Sequence, residues 1–268
     1  MTLKKWTAAC AVAVAACLMA LPGLASGFGL QYVSEDELEA EAAQAQSEWG
    51  FPLSYESLMD SDYLVLANRD SLLDKSYKPE DLVKIKARKV SSDAIQMRKA
   101  ASEAMSEMFD AALEDGIKLY ASSGYRSYQT QNTMYHNRLK NNGGVDDKVV
   151  AYPGSSDHQT GLGIDIINYS GIGKRFTSAF ADTKEGKWLA ENCWDYGFIL
   201  RYAKDKEEIT QIIYEPWHFR YVGIEPAIYM RDNNLSLEEF TAQWHEAVTD
   251  FDGTQFVSVS VEDMENTK

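Results

Sequence analysis

Two short windows constrain the fold of this chain more than any other feature: Ser156-Asp157-His158-Gln159-Thr160-Gly161-Leu162-Gly163-Ile164-Asp165, and Glu215-Pro216-Trp217-His218 about fifty residues later. Two of the four histidines fall in them, each with a carboxylate close by. On one straight strand, the seven residues from His158 to Asp165 would span roughly 23 Å and the two side chains would face opposite ways. The chain must arch between them if they are to work together, and Gly161 and Gly163 supply the backbone freedom for an arch. Pro216 cannot donate to a sheet ladder, so it forces a break that can aim Glu215 and His218 at one point. Two imidazoles and one carboxylate gathered this way leave a fourth position open for water, as a catalytic zinc site needs, and ligands about 2 Å from one ion must nearly touch. Glu215 beside them suits a general base. A single histidine is usually a hydrogen-bonded structural residue; the coincidence of the two windows raises His158, Asp165 and His218 above that background. His136, on a polar helix, and His245, near the C-terminus, are read as structural.

The N-terminus has the layout of an export signal: Lys4 and Lys5, an apolar run from Trp6 to Leu21, then small residues to Gly27. The run is short for a membrane span and is broken by Pro22 and Gly23, so cleavage after about Ala25 and an exported location are expected. Val14-Ala15-Ala16-Cys17 is similar to a bacterial lipobox, which would lipidate Cys17 and tether the chain to a membrane. The apolar run continues through Leu21, so Cys17 reads better as part of the signal core. Cys10 and Cys17 lie in this segment, which leaves Cys193 alone in the mature chain, without an internal disulfide and best read as a buried thiol. The formal charge is −15. Removing residues 1–25, which carry Lys4 and Lys5 and no acid, makes it more negative still. Such a chain is repelled by polyanions, so nucleic-acid binding is disfavoured. A monomer is expected, since about 240 mature residues suffice for one core.

Residues 26–61 read as an acidic helical or linker segment, with a capping-box pattern at Ser34-Glu35-Asp36-Glu37. The folded domain is expected over 62–234, starting with a strand at Tyr63–Asn68. A helix capped by Ser92-Asp93 follows, with Met97, Ala101, Met105, Met108, Phe109 and Ala112 on one side and Gly116 at its end. Strands are expected at 117–122, 163–168, 198–202, 211–215 and 218–222, and helices at 127–140 and 183–196. Ser236-Leu237-Glu238-Glu239 opens a C-terminal helix, and an acidic tail completes 235–268. The class is α+β.

Three ordered motifs, Ser123-Gly124-Tyr125-Arg126-Ser127, Ser156-x-His158-x-x-Gly161-x-Gly163-x-Asp165 and Glu215-Pro216-Trp217-His218-Phe219-Arg220-Tyr221-Val222-Gly223, together resemble the VanY-type D-alanyl-D-alanine carboxypeptidases of the lysostaphin/D-Ala-D-Ala metallopeptidase/hedgehog fold group. The similarity runs from about Asp62 to Asn233. It takes in Leu64–Arg69, Tyr77-Lys78-Pro79 and Gly197–Tyr202; Gly163 departs from the usual alanine. The resemblance implies a small antiparallel sheet flanked by helices, zinc on His158, Asp165 and His218, and Glu215 as general base. It implies a role for Arg126 in holding a carboxylate or stabilising an oxyanion, for which a guanidinium is chemically suited. Ser156 and Gln131 match positions near the substrate. The implied reaction is removal of the terminal D-Ala from peptidoglycan stem peptides.

Other readings share parts of this pattern. A D,D-dipeptidase or a peptidoglycan endopeptidase of the same fold would differ only in the depth of its pocket. A non-catalytic cell-wall binding module is disfavoured by the retention of Glu215 with all three ligands. Iron(II) oxygenases also use two His and a carboxylate, but usually two residues apart at the first pair, against seven here.

Overall fold

The computed structural model describes residues 62–90 and 94–250, together with Leu53 and Leu58. The expected signal, Cys17, the acidic segment before residue 53, the Ser92-Asp93 cap and the tail beyond residue 250 lie outside the described residues.

A two-stranded antiparallel hairpin, β1 (Leu82–Lys84) and β2 (Gln96–Arg98), leads into helix α1 (Lys99–Glu114). The expected helix therefore starts later than its apolar spacing suggested. Met97 pairs with Val83 across the hairpin and still reaches the core, because its apolar spacing fits a strand that feeds straight into the helix. Strand β3 (Tyr120–Ser123) is followed by α2 (Tyr128–Asn141), whose first turn is capped by the Ser127 hydroxyl accepting from Thr130 N. A four-residue helix, α3 (Asp157–Thr160), precedes β4 (Gly163–Ile167). Helix α4 (Lys184–Asn192) tightens into a 3-10 turn at Cys193–Tyr196 and stops at left-handed Gly197. Then come β5 (Phe198–Leu200), the short α5 (Glu207–Thr210), β6 (His218–Tyr221), α6 (Ile224–Asp232) and α7 (Leu237–Asp250).

Four strands form one antiparallel sheet in the order β3-β4-β6-β5. Ile164, Ile166 and Phe219 are buried in one cluster with Met105, Met108 and Phe109 of α1. Alternate residues on the same strands point the other way. A second cluster joins Ile199, Val222 and Met230 to Leu237 and Phe240 of α7. Helix α7 thus packs into this second cluster, and its first turn is a reciprocal capping box between Ser236 and Glu239. Cys193 is buried, and burial pushes its thiol upward.

Two expected strands are absent. Asp62–Leu64 is a 3-10 turn, and the carbonyls of Tyr63 and Val65 accept from the Arg220 guanidinium instead of a neighbouring strand. Residues 211–215 leave α5 through Gln211 in the left-handed region (φ 59°). Their amides then go to scattered acceptors, Tyr214 N to the Glu207 carboxylate and Glu215 N to Tyr202 O. The remaining strands shift at their ends: β3 runs from Tyr120 to Ser123, and β4, β5 and β6 stop one or two residues earlier than expected.

Candidate metal centre and active site

The sheet register gathers the site. Asp165 on β4 stands directly opposite His218 on β6, so both side chains project from the same face, and Ser123 of β3 flanks Asp165. His158 arrives from outside the sheet. It sits in α3, which ends at Gly161 in the left-handed region (φ 70°), and the chain turns there into β4. This is the arch that the spacing required. A Cβ at Gly161 would also come within 2.8 Å of Leu82 Cδ2. Gly161→Ala is therefore expected to cost about 1–3 kcal/mol in a denaturant titration. Gly163 has a different task from the expected one: its φ is ordinary, and its missing Cβ leaves room for Asp157, whose backbone and Cβ would lie 3.1 Å away. At the second window, Glu215 to His218 forms a turn closed by His218 N donating to Glu215 O (3.0 Å), with Pro216 at its second position.

The ligand atoms of His158, Asp165 and His218 lie within 4.8 Å of one another, and all three residues are buried. His158 Nδ1 is 2.7 Å from Gly124 O, which fixes Nδ1 as the protonated nitrogen and turns Nε2 toward Asp165 Oδ2, 3.4 Å away. His218 presents the other nitrogen, with Nδ1 2.9 Å from Asp165 Oδ1. These separations suit donors that share one small cation, and two imidazoles with a carboxylate are the donor set of an open zinc site. For His218, burial opposes the charge, but the contact with Asp165 and the nearby carboxylates of Asp157 and Glu215 outweigh it and hold the imidazole at about 9. Burial also opposes the charge on Asp165, yet the two imidazoles bring its carboxyl far below the usual range.

Glu215 borders the same cleft. Burial pushes its carboxyl up to about 8, against the pull of His218 and with Asp165 adding to the rise. Arg126 lies between β3 and α2, and burial draws its guanidinium downward while Asp165 and Glu215 favour its charge. It is aimed by Gln131 Oε1 (2.7 Å) and Ser123 Oγ (3.0 Å). Gln131 Nε2 meanwhile donates to Ala151 O (2.7 Å), so the Gln131 amide is engaged at both ends and positions Arg126. Ser156 is buried and lines the cleft. The cleft has a volume of about 340 Å³ and brings Arg126, Gln131, Ser156, Glu215 and the three ligands together, with Tyr202, Phe176 and Trp217 on its walls. His136 and His245 do not line it; His136 Nδ1 contacts Asn132 O within its own helix.

Sequence reasoning missed a buried ion chain behind the cluster. Asp157 accepts from Arg201 Nε (2.7 Å) and from Arg220 Nη1, and all three side chains are fully buried. Arg201 forks onto both oxygens of Glu238 on α7 at 2.6 and 2.8 Å. Arg220 is thus a structural cation. The available signal was its register position two residues after His218, which puts it on the site face, opposite Gly163.

Residues 94–224 match the family described as VanY: D-alanyl-D-alanine carboxypeptidase. YodJ of Bacillus subtilis (strain 168) is 45% identical over 181 residues, 66% of each chain. The bifunctional D-Ala-D-Ala dipeptidase and D-Ala-D-Ala carboxypeptidase VanXYC of Enterococcus gallinarum is 40% identical over 134 residues, 48% of this chain and 67% of that one. The matched span is 66%, 44% and 52% of the length of the first three curated relatives. Among solved structures, the LdcB LD-carboxypeptidase is similar at 44% identity and TM-score 0.62, covering 66% of this chain and 84% of that one. The vancomycin resistance D,D-pentapeptidase VanY from a VanB-type cassette, in complex with Zn(II), is similar at 32% identity and TM-score 0.56, covering 67% and 98%. With the two-histidine, one-aspartate cluster, its adjacent glutamate and the facing arginine all in place, the chain belongs to the VanY family of D-alanyl-D-alanine carboxypeptidases.

Proposed function

We propose that this protein is an exported, monomeric, zinc-dependent D,D-carboxypeptidase that removes the terminal D-Ala from peptidoglycan stem peptides. The observation that carries the reading is the shared cleft in which a buried Glu215 and a half-buried Arg126 face the His158–Asp165–His218 cluster. Zinc, when bound there, supplies a Lewis acid that polarises the scissile carbonyl and makes water more acidic. Glu215 takes the proton from the attacking water and delivers it to the departing amine as the C–N bond breaks. Its resting value near 8 keeps that proton exchange close to neutral pH, and a cation in the cluster would favour the carboxylate. Arg126, held by Gln131 and Ser123, provides the fixed positive charge for the peptide's terminal carboxylate or for the oxyanion of the tetrahedral intermediate. Ser156, on the cleft wall, is the remaining polar contact proposed for the substrate.

A second reading is L,D-carboxypeptidase activity, in which the residue before the departing D-Ala is an L-residue. It is favoured by the identity to LdcB, 44% against 32% for the D,D-pentapeptidase. Mass spectrometry of zinc-loaded protein with a pentapeptide ending in D-Ala-D-Ala, and with a tetrapeptide ending in one D-Ala, separates these readings. Single D-Ala release from the pentapeptide is expected. Release from the tetrapeptide alone would establish the L,D reading, release of a D-Ala-D-Ala unit would make it a dipeptidase, and intact peptides would remove the carboxypeptidase assignment.

Arg126→Lys keeps the charge but loses the forked donor geometry. It is expected to lower kcat/KM about 10²-fold in the same assay. Zinc uptake should also displace the proton from His218 Nδ1, since an imidazole nitrogen must be deprotonated to bind a metal. Calorimetry at pH 7 in two buffers of different ionisation enthalpy is expected to show release of about two protons per zinc, one from His218 and one from Glu215 as the cation favours its carboxylate. No release would mean that His218 is not a ligand.

A further inference from the structure

The two histidines of the cluster are supported differently. Each has one nitrogen at the cluster and one pointing away. For His158 the outward Nδ1 has a short partner in Gly124 O. For His218 the outward Nε2 is buried and has no hydrogen-bond partner, and the carboxylate oxygen facing it is Asp157 Oδ2, 3.9 Å away. His218 is packed in place by Tyr202, whose ring lies 4.9 Å from it at 34°, and by the edge-on ring of His158 at 4.9 Å. Neither ring supplies an acceptor in that direction. Metal-bound imidazoles generally donate their second N–H to a carboxylate or carbonyl, which fixes the tautomer and the ring orientation.

We propose that Asp157 is the positioning residue of His218: it takes the Nε2–H and so presents the Nδ1 lone pair to the metal. The charges in the buried ion chain explain why the carboxylate stays put. Arg201 and Arg220 hold its two oxygens from different sides, and Glu238 neutralises the second cation. Gly163, opposite Arg220 in the sheet, leaves the space that Asp157 occupies. Asp157 thus touches both windows of the sequence: it precedes His158 in the chain and faces His218 in space. An aspartate serving only as counter-ion to two arginines would not need an oxygen turned toward the orphaned imidazole nitrogen. The proposal rests on the metal-site reading above.

The test compares Asp157→Asn with Glu238→Gln in the full-length protein. Both variants remove one carboxylate from the ion chain, but only the first exchanges the carboxylate facing His218 for a neutral, weaker-accepting amide. Zinc affinity is measured by competition with a chromophoric chelator, and the unfolding midpoint of each metal-free protein is measured alongside. Asp157→Asn is expected to weaken zinc binding about 10- to 100-fold. Glu238→Gln is expected to lower the midpoint while changing zinc affinity less than about threefold, as suits a group that acts on stability alone. Equal losses of affinity in the two variants, or none in Asp157→Asn, would overturn the proposal and leave Asp157 a structural counter-ion. If Asp157→Asn does not fold, 15N NMR of the histidine side chains in zinc-loaded wild type decides. A protonated, slowly exchanging His218 Nε2 with a metal-bound Nδ1 supports the proposal, and a metal-bound Nε2 refutes it. A wild-type chain that binds no zinc would instead remove the metal-site reading itself.

Discussion

Glu215→Gln is expected to lower kcat/KM for the D-Ala-releasing reaction by about 10³-fold while zinc stays bound with near wild-type affinity. Glutamine keeps the size and the hydrogen-bonding reach of the side chain but cannot accept and return a proton, so the loss falls on kcat. Metal content measured on the same preparation separates this outcome from disruption of the site, because Glu215 lies beside the three-ligand set and is not part of it. Turnover at the wild-type rate would take Glu215 out of the mechanism. The substitution should also reveal itself in the metal-free protein. The folded value near 8 lies above the ordinary 4.5, so the wild-type fold loses stability as pH rises between those values, where the unfolded chain ionises freely. Metal-free Glu215→Gln is therefore expected to be more stable than metal-free wild type at pH 8, on the order of 2–4 kcal/mol, with the difference vanishing below about pH 4.5. Chemical denaturation at the two pH values reads this directly.

Chelation of the metal is expected to abolish activity, reducing it to the uncatalysed background, and added zinc is expected to restore it. His218→Ala should be inactive with or without added zinc, since two remaining ligands do not hold the ion in an open tetrahedral site. Metal removal should also lower thermal stability. Zinc at about a thousand times its dissociation constant stabilises a folded protein by about 4 kcal/mol, and His218→Ala should lose that increment. Full activity after exhaustive chelation, confirmed by metal analysis, would contradict the zinc-dependent mechanism.

Much of the site could be read from the order of the residues. The separation of His158 from Asp165 excluded a straight strand, and the structure places a short helix and the left-handed Gly161 between them. The Glu215-Pro216 step predicted a break, and a tight turn is there. Arg126, just before the Ser127 cap, was identifiable as a cation at a strand-to-helix junction. Local patterns did less well where backbone groups found distant partners. Tyr63–Asn68 is apolar enough for a strand, yet the carbonyls of Tyr63 and Val65 are taken by Arg220 from across the molecule. Met97 fits a helical stripe by spacing, but pairing with Val83 decided its conformation.

By itself, the sequence determined the chemistry: which side chains can bind a metal, which carboxylate can act as base, and where the chain must turn to let them meet. These follow from residue type and short-range geometry, which are local properties. Tertiary structure alone decided how those side chains are held. The register that sets Asp165 opposite His218, and the buried run from Glu238 through Arg201 to Asp157, join residues that no local pattern links. Buried charges are stable only where opposite charges and hydrogen bonds converge on them, and that convergence exists only once the chain is folded.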